Sequence, residues 1–581
     1  MIKIGRKYLQ LGPVLFAMFF LLVQVVADLS LPTLTAKIIN EGIAKENLPY
    51  IWQMGGIMLA IAITGWLGAI LNVYFASSQS QRLGMRLRQA LFNKVSYMDT
   101  DNVAKFGNAT LITRTTNDVT QLQNVFQTAL RMMMMSPLLF IGAFIMAWRL
   151  DGRLTLVFAI ALPILAVVTL INMRISIPRF KVMQEKVDRI NLLFQQGLTG
   201  VRVIRAFNRD DYEITKFDDA NRDLTHNAQV VFTTVAMLLP IMTVILSFTN
   251  IGIVWFGAKL IGAQMMPVGN LVAFLTYATQ ILMSFMQLSM VMVMIPRAQA
   301  SAGRVSEILN TTDQITDPAV AEELTTAEVS LDFNNVTYQF AEAKRPALDS
   351  INLHVTSGQT LAIIGGTGAG KSTLINLIPR LIDPTIGSVI LNGTNVKQLR
   401  QAEVHDLVAI TQQSAVLFSG TVRSNMLFGR PEATDQMIWD ALTIAQAADF
   451  VREQGGLDMN VEQDGVNFSG GQRQRIAIAR TLIKDAAVYI FDDSFSALDF
   501  KTDALLRQSI KQESRLKSAI KVIVAQRVAT VMDADQILIL EHGMVVGLGS
   551  HRELMKDNQA YRTIMQSQLS EADLEEVGLN A

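Results

Sequence analysis

Apolar residues follow two rhythms along this 581-residue chain, and the change between them falls near residue 300. Before it lie six long apolar stretches, approximately 13–38, 52–76, 128–149, 153–173, 230–262 and 268–296. Each reaches the ~20 residues that a helix needs to cross a bilayer, and several are long enough to project beyond it. After about residue 325 the apolar runs shrink to strand length, at 329–333, 360–364, 488–491, 521–524 and 536–540, and alternate with helical segments. The Gly/Asn turn Leu391-Asn392-Gly393 separates two such elements. The pattern predicts an all-α membrane domain over residues 1–305 and a soluble α/β domain over 328–568. A polar linker with Pro318 spans 306–327, and an acidic tail with Glu571, Asp573, Glu575 and Glu576 spans 569–581.

Charge placement orients the spans. Arg82, Arg86, Arg88, Lys94, Lys105 and Arg114 lie between spans two and three, and a further basic series from Arg174 to Arg222 lies between spans four and five. The alternate loops hold Lys45, the pair Arg149 and Arg153, and Lys259. Both termini are therefore expected on the cytoplasmic side. Lys3, Arg6 and Lys7 precede the first apolar run as in a signal peptide, but the run continues to about Val26 without a clear cleavage site, so an uncleaved first helix is expected.

Composition narrows the function. Half of the residues are hydrophobic and the mean hydropathy is +0.31, high for a soluble protein. Fifty basic residues balance fifty acidic ones, so nothing points to nucleic acid. Without a cysteine the chain has no disulfide framework, thiol chemistry or cysteine zinc site.

The strongest motif is Gly365-Gly366-Thr367-Gly368-Ala369-Gly370-Lys371-Ser372, followed by Thr373, between an apolar strand and an apolar helix. Its glycines let backbone N–H groups converge on phosphates, and the helix N-terminus adds a favourable dipole. Lys371 reaches the β/γ-phosphates and Ser372 ligates Mg²⁺. Asp492, at the end of an apolar strand, is the matching carboxylate on the Mg²⁺ side.

Between these lies Phe468-Ser469-Gly470-Gly471-Gln472-Arg473-Gln474-Arg475. Serine, two glycines and glutamine at a helix start resemble the signature of ATP-binding cassette (ABC) proteins. Nearly the whole chain resembles an ABC exporter half-transporter, six spans before one cassette. In that family the signature contacts the nucleotide held by the opposite cassette, so the resemblance implies a dimer that uses ATP and Mg²⁺. It also implies that Phe340 stacks on adenine and that Gln413, next to Gln412, senses Mg²⁺ (with Ser372 and Asp492) and the lytic water. Ser496, Ala497, Leu498 and Asp499 resemble the D-loop.

Two positions depart from the family pattern. Asp493 stands where such ATPases place the catalytic glutamate, and Gln526 stands where they place the switch histidine. A general base must come within about 2.6–3.2 Å of its proton, and aspartate is one methylene shorter. Together with the intact signature, these changes resemble the degenerate-site subunit of heterodimeric bacterial multidrug exporters. The implied partner is a paralogous subunit carrying the catalytic glutamate, the implied setting a bacterial plasma membrane, and the implied cargo a hydrophobic or amphipathic small molecule. Alternatives are a homodimer hydrolysing slowly with aspartate, a lipid flippase, a peptide exporter, and a nucleotide-gated regulatory subunit with little transport.

Three further readings concern the membrane domain. Residues 113–119 and 208–213 resemble the coupling helices at the tips of the long cytoplasmic loops. Met283, Met286, Met290 and Met294 form one stripe of the last span, beside Tyr277, Gln280, Ser284 and Gln287. It suits a wall for varied amphipathic molecules, and equally helix packing and lipid contact. Asp28 is expected either deep in the first span, at high cost, or capping an irregular Asp28-Leu29-Ser30-Leu31-Pro32 segment.

Overall fold

The computed structural model describes residues 1–324, 328–341 and 343–568. The acidic tail and the side chain of Met290 lie outside the described residues. The chain divides into two compact units. The first holds Met1–Tyr97 and Phe106–Thr311; the second holds Met98–Lys105 and the residues from Thr312 onward.

Among the described residues of the first unit, six helices are long and apolar enough to cross a membrane: Leu11–Ile43, Leu48–Ser96, Asn108–Leu150, Gly152–Ala206, Asp210–Gly262 and Val268–Leu288. All six expected spans fall on them. The last helix runs on to Asn310, so the helical part passes the expected boundary at 305. Small residues set the closest packing. A Cβ on Gly65 would lie 2.7 Å from that of Ala27, and one on Gly68 would lie 3.1 Å from the Phe20 carbonyl oxygen. One helical turn further, Asn72 donates to the Ala17 carbonyl at 2.8 Å.

The segment around Asp28 is not irregular. Leu11–Lys37 is one helix, with Pro32 inside it. A proline lacks the N–H that would bond the carbonyl four residues back, which here is that of Asp28. The Gln280 amide donates to this oxygen at 3.3 Å, and the Tyr277 hydroxyl donates to the neighbouring Leu29 carbonyl at 2.6 Å. Side chains of the last span thus satisfy backbone that has no water to turn to. In the methionine stripe Met283 is exposed, whereas Met286 packs against a small cluster with Leu165, Met242 and Leu282.

The second unit is built around two larger sheets, with Gly420–Thr421 and Asn460–Val461 forming a small third. In a six-stranded sheet the order is Met544–Gly549, Gln536–Glu541, Thr360–Gly365, Ile520–Val524, Val488–Asp492 and Val408–Thr411, parallel except for the first pair. Its central strands are buried on both faces and mostly apolar, with Lys521 the buried exception in Ile520–Val524. A four-stranded antiparallel sheet joins Leu348–Thr356, Ser330–Tyr338, Ile386–Leu391 and Thr394–Asn395. The tight turn of its last pair places Asn392 at φ +50° and Gly393 at φ +78°, the left-handed pair that a two-residue hairpin requires.

Residues 113–119 are not a loop tip. Arg114–Asp118 forms a wide π-helical turn inside the long helical stretch 108–150 of the first unit, with Leu111 and Val119 buried beside it. Its polar look has another cause: Asp118 is buried and pairs with Arg304, whose Nε lies 2.7 Å away, and accepts from the Ser301 hydroxyl at 2.9 Å. The segment that leaves the helical unit is Met98–Lys105. Asp99 there accepts from the Gln314 amide at 2.7 Å, and Asn102 donates to the Thr312 carbonyl at 3.2 Å. At 208–213 the chain does turn at an exposed tip, with Asn208 at φ +49° and Phe207 and Tyr212 exposed. Arg304→Ala should lower stability in detergent by roughly 1.5–3 kcal/mol, the usual worth of hydrogen bonds to a charged group. Asp118→Asn, which keeps an acceptor, should cost less. Parent-like melting of Arg304→Ala would contradict a stabilising pairing with the buried Asp118.

Candidate functional site

Three neighbouring strands deliver the site. Thr360–Gly365, Ile520–Val524 and Val488–Asp492 are parallel, with Val524 paired to Ile363 on one side and to Asp492 on the other. The segments leaving these strands therefore emerge at one edge of the sheet: the glycine loop, the Asp492-Asp493 pair, and the stretch holding Gln526.

The loop from Gly365 to Gly370 leads into the helix Lys371–Leu377. Gly370 has φ +104°, and a Cβ there would lie 2.6 Å from the Ala347 carbonyl oxygen, so no other residue fits. Lys371 Nζ donates to the carbonyls of Gly365 and Gly366, each at 2.8 Å. Burial lowers the Lys371 ammonium below the ordinary lysine range, and the charges of Asp493 and Asp492 pull it back up. Burial raises the Asp492 carboxyl, and the neighbouring Asp493 adds to the rise.

Asp493 is the focus. It is buried, takes φ +47°, and donates its backbone N–H to the Val524 carbonyl at 3.0 Å. Its Oδ2 accepts from Gln526 Nε2 at 2.9 Å and from Gln413 Nε2 at 3.3 Å. The two positions that depart from the family pattern are thus in direct contact. Gln413, rather than Gln412, is the glutamine that reaches this carboxylate. Burial is the larger influence on Asp493 and lifts its carboxyl above the ordinary aspartate range, while the Gln413 amide acts to lower it.

Ser469 caps the helix Gly470–Leu482 in a reciprocal box: its Oγ accepts from the Gln472 amide at 3.3 Å, and Gln472 Oε1 accepts from the Ser469 amide at 3.0 Å. Phe468 is buried edge-on against Phe450. A Cβ on Gly471 would lie 3.3 Å from the Ala497 carbonyl oxygen, so the signature and D-loop segments are neighbours. In the D-loop, Ser496 Oγ donates to the Asp493 carbonyl at 2.8 Å, and Asp499 caps Phe500–Gln512 by accepting from the Thr502 amide at 3.0 Å. Phe340 is half-exposed just beyond Ser330–Tyr338, edge-on to Tyr338.

Lys371, Asp492, Asp493, Gln413 and Gln526 converge. Among the described residues, Ser469, Gly470, Gly471 and Gln472 make no hydrogen bond to that group. Sequence reading missed Arg527, the residue after the switch position. Its guanidinium donates to the carbonyls of Ser496 and Leu498 at 3.2 and 3.3 Å and lies over the Phe500 ring. Nothing in the sequence distinguishes it from a solvated arginine.

Family models match two regions, the ABC transporter transmembrane region over residues 14–285 and the ABC transporter model over 348–496. An uncharacterized ABC transporter ATP-binding protein of Mycobacterium tuberculosis is 38% identical, covering 99% of this chain and 98% of its own length. A Bacillus subtilis ABC transporter ATP-binding protein is 32% identical, covering 95% of this chain and 96% of its own. The ATP-dependent lipid A-core flippase of Dechloromonas aromatica is 28% identical over 93% of this chain and 92% of its own. A bacterial Atm1-family ABC exporter solved with ATP bound shares the fold, with a TM-score of 0.80 at 22% identity, covering 96% of this chain and 98% of that one.

Lys371→Ala removes the cation inside the glycine loop. Binding of an ATP analogue to this site should weaken about tenfold or more, the factor that a lost charge-assisted hydrogen bond gives. Equilibrium binding to the purified full-length protein measures it, and unchanged affinity would remove Lys371 from the site.

Proposed function

This chain belongs to the ABC transporter family, and from that premise we propose that it is one subunit of an ATP-driven exporter of hydrophobic or amphipathic compounds. The exporter resides in the bacterial plasma membrane, with the termini and the cassette on the cytoplasmic side. The partner is a paralogous half-transporter that carries a glutamate at the position of Asp493. This chain supplies a weakly hydrolytic ATP site of its own and lends Ser469, Gly470, Gly471 and Gln472 to the partner's working site.

One observation carries the reading. The carboxylate best placed to act as a base is short, and its Oδ2 already accepts from both Gln526 and Gln413. A base must offer a lone pair to the water it polarises; hydrogen bonds from two amides hold the carboxylate in place and stabilise its charge without accepting a proton. Gln526 adds no ionisable ring that the switch position otherwise provides. Binding groups are intact: Lys371 sets its charge against the phosphates, the loop amides converge on them, and Phe340 offers a face for adenine. Ser372, Asp492 and the amide oxygen of Gln413 form an all-oxygen donor set that fits Mg²⁺. When bound with the nucleotide, Mg²⁺ supplies charge neutralisation at the β/γ-phosphates.

Met98–Lys105 takes the coupling role that the sequence suggested for 113–119, because it packs within the cassette unit while continuous with two membrane helices. The exposed tip at 208–213 is its counterpart. Similarity to a lipid A-core flippase favours a second reading, a homodimer that flips lipid with two equivalent sites.

Nucleotide trapping by site in the assembled transporter separates the two. Unhydrolysed ATP should remain at the Lys371 and Asp492 site while ADP appears at the opposite one, and Asp493→Asn should leave most of the turnover. Removing the partner's glutamate should cost about 10²–10⁴-fold, the usual worth of a general base. Ser469→Ala should damage hydrolysis more than Asp493→Asn. Equal ADP at both sites would overturn the asymmetric pair, and vesicle uptake of drug against lipid would then identify the cargo.

A further inference from the structure

The last described helix, Gln559–Gln568, docks on the cassette through one stripe. Tyr561 and Met565, four residues apart, are fully buried in its larger core. Gln568, three residues further on, falls on the same face. Its side-chain amide makes two hydrogen bonds to one short stretch of backbone: Nε2 donates to the Gln526 carbonyl at 2.7 Å, and Oε1 accepts from the Val528 amide at 2.9 Å.

That stretch needs an outside partner. Val528 opens the short helix Val528–Val531, and the residue at its N-cap is Arg527, whose side chain makes no capping bond. The first amides of a helix have no partner within it, and Gln568 supplies one from another helix. Arg527 itself is directed to the Ser496 and Leu498 carbonyls. The Gln526 side chain, one residue before, is the donor on Asp493 Oδ2.

We propose that Gln568 is a positioning residue for the nucleotide site: it fixes the backbone on both sides of Arg527 and thereby sets Gln526 on Asp493. The inference rests on the reading of Gln526 as part of that site. Through it, the helix Gln559–Gln568 becomes a latch on the switch segment, connected to the carboxylate by the Gln568 bond to the Gln526 carbonyl and then the Gln526 side-chain bond to Asp493.

The test uses the full-length chain in its assembled transporter. In Gln568→Ala, hydrogen exchange at the amides of residues 526–530 should rise about fivefold, the factor for one ordinary hydrogen bond, while exchange across Tyr561 and Met565 stays at the parent level. Release of ATP from this chain's site should quicken by a similar factor. In a Gln526→Ala background the same change should alter ATP release little, because its route is already cut; additive effects would show that Gln568 does not act through Gln526. Unchanged exchange at 526–530 overturns the latch outright. Should Gln568→Ala loosen the whole helix, Gln568→Glu keeps an acceptor for Val528 but sets a carboxylate against the Gln526 carbonyl. Parent-like ATP release from that variant also overturns it. Equal ADP at both sites, with exchange at 526–530 still raised in Gln568→Ala, would remove the asymmetric-pair reading and leave the latch standing.

Discussion

Parallel pairing of three strands is the constraint on which the nucleotide site depends. Val524 is registered to Ile363 and Asp492, Asp493 donates to the Val524 carbonyl, and Ala525 donates to the Ile363 carbonyl. The loop that holds Lys371, the acidic pair and the switch segment therefore leave the sheet side by side. A ligand crevice at the carboxyl ends of parallel strands is the general outcome of such sheets. The register needs two-sided burial to be secure, and the strands supply it: Ile490, Val522 and Val524 are buried on one face of the sheet and Tyr489, Phe491 and Ile523 on the other.

Much of this was legible in the sequence because it rests on local rules. Glycine spacing, a short apolar strand and an apolar helix specify the phosphate loop; long apolar runs specify six spans. Other parts were not legible, for two physical reasons. The short strand Val408–Thr411 carries no clear alternation and owes its existence to Val488–Asp492, far away in sequence. Polar residues also look alike whether they face water or a buried partner. Asp118 reads as a loop residue, and Pro32 as a break, until Arg304, Gln280 and Tyr277 are seen to answer them.

The same ambiguity shaped the reading of the site. In the sequence, Asp493 and Gln526 read as two linked departures, but they stand 33 positions apart and nothing there shows them touching. In the fold they meet in one hydrogen bond, so a single local environment accounts for both. Each fits the other: a glutamine amide is a donor that a short, buried carboxylate can accept without the charge change an imidazole undergoes near neutral pH. Gln526 itself has no proton to gain or lose in the range where a histidine would switch.

The cross-helix bonds around Pro32 carry a mechanical consequence. Two carbonyls of the first span are bound by side chains of the last, and Asn40 of the first receives the Gly269 amide at 2.8 Å near the start of the last. Shearing one helix past the other would strand these polar groups in hydrocarbon, at several kcal/mol for each group left unpaired. Around Pro32, sliding of the first span past the last therefore carries a cost of its own.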